Sequence, residues 1–145
     1  MTAEAAISKA KALMAEGKPF LMATVDAKGC PHSRWMGGFI ADPNDQSALY
    51  LVCGANSRKI TQIEGNPATE LLFSAPDYAC VVTLEGKSEV VGDAAVRRMV
   101  WEGMPEAHRH FDDPDSPVFG VVKFSACCLE VLCMHEEMAP TRVEW

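Results

Sequence analysis

The residues best suited to chemistry form the string Gly54-Ala55-Asn56-Ser57-Arg58-Lys59, between an apolar run from Ala48 to Cys53 and a segment that reads as a short helix, Ser57 to Glu64. A small residue opens the turn, and Asn56 or Ser57 is placed to cap the helix. The first helical turn then presents backbone N–H groups at the positive end of the helix dipole, where phosphate is stabilised. Arg58 adds a planar fork of donors and Lys59 a compact point charge. The string fits a phosphate site. It equally fits a capped surface helix with solvated cations, because Ser-Arg-Lys is too short to separate the two.

Other reactive side chains form no comparable pattern. Of the six cysteines, Cys53, Cys80, Cys127 and Cys133 sit in apolar runs, where a thiol behaves as a small core residue. There is no Cys-x-x-Cys, so all six are expected to be reduced thiols. The pairs Cys30/His32, Cys133/His135 and His108/His110 have strand spacing but not the spacing of a zinc finger, and no metal site is expected. No Ser/His/Asp set, nucleophile elbow or paired-carboxylate motif is present. Any difficult chemistry would belong to a cofactor.

These residues sit in a chain of 145 residues, 48% hydrophobic, enough for one respectable core and one domain spanning 1–145. With 20 acidic against 13 basic side chains the net charge is −7, which disfavours nonspecific attraction to nucleic acid or to anionic membranes. Any anion site must therefore be local. No apolar stretch is long enough to span a bilayer and the N-terminus lacks the features of a signal peptide, so a cytoplasmic location is expected.

The elements that must position the string are one helix and then mostly strands. Ala3 to Glu16 places Ile7, Ala10, Leu13 and Met14 on one face, with Gly17 to end the helix. Phe20 to Val25 and His32 to Ile40 read as strands joined by the turn Asp26-Ala27-Lys28-Gly29. After a turn at Asp42–Asp45 come the strand Ala48 to Cys53, the short helix closed by Gly65-Asn66-Pro67, and a strand from Glu70 to Ser74. Ala79 to Val91 reads as a long strand with Gly86 at a bulge. Asp93 caps a helix over Ala94 to Glu102, a polar loop runs from Pro105 to Pro117, and Val118 to Phe124 and Cys127 to Met134 are the last strands. The pattern is mainly β with short helices, curling into a small closed or partly open antiparallel barrel.

The segments Phe20-Leu21-Met22-Ala23-Thr24-Val25-Asp26, Pro31-His32-Ser33-Arg34-Trp35-Met36, Leu49 to Lys59, Asn66-Pro67 and Leu84 to Val90 resemble, in this order, the FMN-binding split-barrel superfamily. Within it, the chain looks like the general stress protein 26 branch, related to pyridoxamine 5'-phosphate oxidase. The resemblance runs from about Pro19 to the last strand and implies a split β-barrel of Greek-key type.

It implies further that Arg34, Ser57, Arg58 and Lys59 hold the phosphate of FMN. Trp35 and Met36 would run beside the flavin as extended backbone, although both read equally well as core residues. Val52 and Cys53 would face its ring. The expected protein is a homodimer with flavin sites at the subunit interface, a flavin-dependent oxidoreductase of unknown substrate whose reductant could be a nicotinamide nucleotide. Alternatives are a noncatalytic FMN-binding stress protein, or a split barrel holding haem or F420. Departures are informative as well: Phe39 and Val81 stand where the oxidase carries lysine and glutamine, and Arg142-Val143-Glu144 replaces its Arg-x-His ending. Oxidation of pyridoxamine phosphate is therefore not expected. Trp145 could stack on the flavin, fill the dimer seam or fray.

Overall fold

The computed structural model describes residues 1–16 and 19–145, so Gly17, expected to end the first helix, lies outside the described residues. Helix α1 (Ala3–Glu16) buries Ala6, Ala10 and Leu13, one side chain every three or four residues, against the sheet. Strands β1 (Phe20–Val25) and β2 (Pro31–Met36) form the expected antiparallel hairpin. Its turn is built by Asp26, whose carboxylate accepts from the backbone N–H groups of Lys28 and Cys30, and by Gly29 at φ +82°.

The strand expected over His32 to Ile40 is broken. β2 stops at Met36, Gly37 and Gly38 lie outside any strand, and β3 (Phe39–Asp42) follows. Topology supplies the reason. With β4 (Asp45–Gly54), β5 (Ala68–Ser74), β6 (Cys80–Val90) and β7 (Phe119–Cys133), the sheet runs β2-β1-β5-β6-β7-β4-β3. Its two edge strands are thus consecutive in the chain. In a flat sheet six strand spacings would separate them by about 29 Å. The three Cα steps from Met36 to Phe39 reach only about 11 Å. The sheet must curl until its edges meet, and the chain rather than a hydrogen-bond ladder closes the barrel.

β7 is one strand where two were expected. Phe119–Ser125 pair with β4 and Cys128–Cys133 with β8 (Glu137–Glu144), while β6 runs along nearly its full length. The bulge falls between Glu85 and Gly86, at the expected glycine. A Cβ on Gly86 would overlap the Ser125 carbonyl, so the neighbouring backbone can approach only a glycine there.

The barrel interior is filled by Phe20, Met22, Leu51, Leu71, Phe73, Val82, Phe124 and Val131, each fully buried. Phe20 and Phe73 stack at 4.7 Å, and Phe39 meets both edge-on at 6.0 and 5.6 Å. A second cluster, Tyr50, Val100, Met104, Ala107, Phe119 and Val121, lies on the outer face beneath α3 (Ala94–Gly103) and a short 3-10 helix, Pro105–Arg109, in what reads from sequence as loop. Asp93 caps α3 as expected, accepting from the Val96 N–H at 3.0 Å. This outer cluster explains why β7 is apolar on both faces without any second chain.

The reading of all six cysteines as free thiols fails for one pair. Cys80 and Cys133 face each other in the β6–β7 register, 4.1 Å apart at Cα, and are joined as a disulfide. Cys30, Cys53, Cys127 and Cys128 are free. None of the described helices is long and apolar enough to cross a membrane.

Candidate functional site

The barrel and its shortest α-helix build one cationic site. β4 delivers Cys53 and Gly54 to a tight turn in which the Ser57 N–H donates to the Gly54 carbonyl at 3.0 Å, and α2 (Arg58–Gly65) starts at once. Gly120 on β7 allows this turn to press inward, since a Cβ there would come within 2.8 Å of the Cys53 carbonyl. α2 is fixed from below by Ile60 and Ile63, both buried in the barrel core. Its opposite side presents Ser57, Arg58 and Lys59.

Ser57 holds the N-cap position in extended conformation, yet its side chain makes no capping bond. This departs from the expected capped helix. The first-turn N–H groups, which have no intrahelical acceptor, thus lack their usual side-chain cap. Lys59 Nζ approaches Ser57 Oγ at 3.4 Å. From β2, Arg34 points to the same place, near enough to Arg58 that the two repel: burial first, and Arg58 second, depress the Arg34 pKa. Among the described residues no ion pair involves Arg34, Arg58 or Lys59. Three cations and a hydroxyl around an uncapped helix start fit a phosphate dianion.

Cys53 completes the cluster. Burial pushes its thiol pKa up, opposed by Lys59, the Ser57 hydroxyl and Arg34, so the cations reach it although its surroundings are apolar. Val52 does not join it. Successive side chains alternate across a strand, so Cys53 packs with the barrel core while Val52 faces the outer cluster under α3. Met36 is buried in the core, whereas Trp35 is 64% exposed and lines a surface groove with Tyr78, Leu13 and Pro76. Arg34, Cys53, Ser57, Arg58 and Lys59 are brought together; the side chains of Trp35, Met36 and Val52 are not.

Two residues of the site were missed from sequence, Thr24 and Gln62. Thr24 Oγ1 accepts from Arg34 Nη1 at 2.8 Å and donates to Gln62 Oε1 at 2.6 Å, and Gln62 Oε1 also accepts from Arg34 Nη2 at 3.1 Å. A lone hydroxyl in the run Phe20–Val25, and a glutamine one turn after Arg58, are the signals that could have raised them.

The departures from the oxidase pattern also have a structural basis. Phe39 packs edge-on in the aromatic core. Arg142 lies in β8, bidentate to Glu85 at 2.8 and 3.0 Å and bonded to Glu144 at 2.8 Å, contacts that push its pKa further up. His108 stacks on Trp101 at 4.0 Å and its Nε2 meets the Trp101 carbonyl at 3.0 Å. Trp145 is not frayed, since its N–H donates to the Cys127 carbonyl at 3.0 Å and its ring lines a cavity of about 450 Å³ between α1 and β3–β4. His32 pairs with Asp26 at 2.8 Å in the β1–β2 hairpin. No cluster of three or more metal-ligating side chains occurs among the described residues.

A family model described as pyridoxamine 5'-phosphate oxidase matches residues 7–127. The chain belongs to this family. The pyridoxamine 5'-phosphate oxidase match takes in the whole cationic site and stops short of β8. No curated protein sequence matches the chain. Among solved structures, general stress protein 26 from Bacillus anthracis superposes with a TM-score of 0.76 at 20% identity, covering 96% of this chain and 98% of that one. A pyridoxamine 5'-phosphate oxidase-related, FMN-binding protein from Nostoc punctiforme gives 0.76 at 19% identity, over 98% and 89% of the two chains. A haem-binding protein from Mycobacterium smegmatis gives 0.73 at 19%, over 94% of this chain and 57% of that one. These likenesses establish the split-barrel fold. Which ligand this family member takes must be argued from its own residues.

Proposed function

We propose that this chain binds FMN, with the phosphate at the start of α2, and acts as a flavin-dependent oxidoreductase on a substrate other than pyridoxamine phosphate. The observation carrying this reading is the gathering of Arg34, Arg58 and Lys59, without a carboxylate partner among the described residues, around the Ser57 hydroxyl, which makes no capping bond, and the uncapped helix N-terminus. Like charges so placed repel one another, and a phosphate relieves that repulsion while accepting hydrogen bonds from all four side chains. Bound FMN supplies the electron transfer, which no side-chain set in this chain replaces.

The protein's own part is to bind and orient. β2 is an edge strand, so alternate backbone groups along Trp35 and Met36 have no partner in the sheet and are available to the polar edge of a flavin. Cys53, beside the cations, is the side chain of β4 placed on the phosphate side. No Gly-x-Gly-x-x-Gly unit offers a separate nicotinamide domain, so a nicotinamide nucleotide would have to reach the flavin directly. The FMN-loaded protein is expected to oxidise NADH or NADPH, with a dye as electron acceptor, faster than free FMN at equal concentration. Equal rates would make it a noncatalytic flavin-binding protein.

We also propose a homodimer with the flavin sites at its seam. Trp35, Tyr78, Met138 and Trp145 are each at least half exposed, and the end strands β2 and β3 each pair on one side only, which favours a second copy over a free monomer. Sedimentation is expected to give twice the chain mass with two FMN per dimer. A stable monomer saturated with FMN would overturn the dimer.

A further inference from the structure

The uncompensated charge of Arg34 is the least expected feature of the site. A part-buried guanidinium is ordinarily matched by a carboxylate, and even the exposed Arg142 is matched by Glu85 and Glu144. Arg34 instead has three neutral acceptors: the Met22 carbonyl at 3.2 Å, Thr24 Oγ1 at 2.8 Å and Gln62 Oε1 at 3.1 Å. The polarity of this network is chemically fixed. Guanidinium only donates, so Gln62 must turn its carbonyl oxygen toward Arg34, and the Thr24 hydroxyl, accepting from Arg34, is left to donate onward to the same oxygen. Thr24 is fully buried on β1, and Gln62 lies on α2 one turn beyond Arg58 and Lys59. The network therefore ties β1, β2 and the cation-bearing helix to one guanidinium.

We propose that Thr24 and Gln62 are positioning residues for the phosphate: they fix the Arg34 guanidinium with neutral acceptors, so that its orientation is set while its full charge stays available to the anion. The choice of glutamine over glutamate is then functional. A glutamate at position 62 would keep the shape and strengthen the hold on Arg34, but its negative charge would offset the attraction for phosphate. A purely structural network predicts the reverse preference, because an ion pair would hold β1, β2 and α2 together at least as well. The inference rests on the phosphate-site reading, and the comparison of FMN with riboflavin, which lacks the phosphate, tells the two apart.

The test measures FMN and riboflavin affinity by fluorescence quenching, together with the melting temperature of the ligand-free protein, for wild type and Gln62→Glu. Wild type is expected to prefer FMN. Gln62→Glu is expected to melt at the same temperature or higher, to lose about tenfold or more in FMN affinity, and to change little toward riboflavin. Equal wild-type affinity for the two flavins overturns the phosphate site itself. A preserved FMN preference in Gln62→Glu overturns the positioning role alone. Should that variant not fold, Thr24→Ser and Thr24→Val carry the same comparison: the hydroxyl-keeping serine is expected to retain the FMN preference and the isosteric valine to lose most of it. Equal preference in both contradicts the proposal.

Discussion

Alanine at Arg58 or at Lys59 is expected to weaken FMN binding about tenfold or more, and alanine at Arg34 about a hundredfold. In the proposed binding mode each removes a charge-assisted hydrogen bond to phosphate, worth about 1.5 to 3 kcal/mol, or one to two decades of affinity. Arg34 stands above the other two because it is part-buried and already held by Thr24, Gln62 and the Met22 carbonyl, whereas Arg58 is exposed and must be ordered on binding. Riboflavin affinity should change little in all three variants. Fluorescence quenching titrations read the effect directly. Unchanged FMN affinity in Arg58→Ala and Lys59→Ala would place the phosphate elsewhere.

Pyridoxamine phosphate and pyridoxine phosphate should not be turned over at a meaningful rate by the FMN-saturated protein. Such a substrate needs its own phosphate site to hold its reacting carbon against the flavin, and a misplacement of about 1 Å can cost about a hundredfold. Three candidate groups for that site are engaged elsewhere. Phe39 is apolar and packed on Phe20 and Phe73, Arg142 is neutralised by Glu85 and Glu144, and His108 is stacked on Trp101. Oxygen consumption with either vitamer phosphate checks this. Turnover of about 1 per second or faster would show that other groups replace the missing contacts.

The cationic site was legible in the sequence because its chemistry is local: Ser57, Arg58 and Lys59 are adjacent, and the helix start that presents them follows a strand and a small-residue turn. Arg34 entered only through the family resemblance, since nothing in its own neighbourhood says that β2 brings it to α2. The Gly86 bulge and the Asp93 cap were legible for the same local reason. What escaped depends on register and closure. The break at Gly37–Gly38 follows from two edge strands having to meet, which no window of the sequence contains. The Cys80–Cys133 bond joins residues 53 positions apart that only the β6–β7 pairing aligns.

β8 was missed for a different reason. Glu137–Glu144 is almost wholly exposed and contains Pro140, so it shows no apolar alternation and is held by backbone pairing to β7 and by the Arg142–Glu85 bridge. The expectation that Val52 and Cys53 face one ring overlooked the period of two along β4, which sends one side chain to each face. The apolar run at the start of β7 needs no second chain to cover it, since Phe119 and Val121 lie under α3 and the short helix after it and Val122 in the barrel core. The case for a second copy rests on the exposed aromatics and the unpaired strand edges.

The account turns on the ligand, and the absorption spectrum of the purified protein tests it most directly, recorded after separate incubation with FMN, riboflavin and haem and removal of unbound ligand by gel filtration. The account predicts a retained flavin spectrum with one FMN per chain, riboflavin washed away, and no haem band of comparable stoichiometry. Haem retained at one per chain or per dimer while FMN is lost would contradict it.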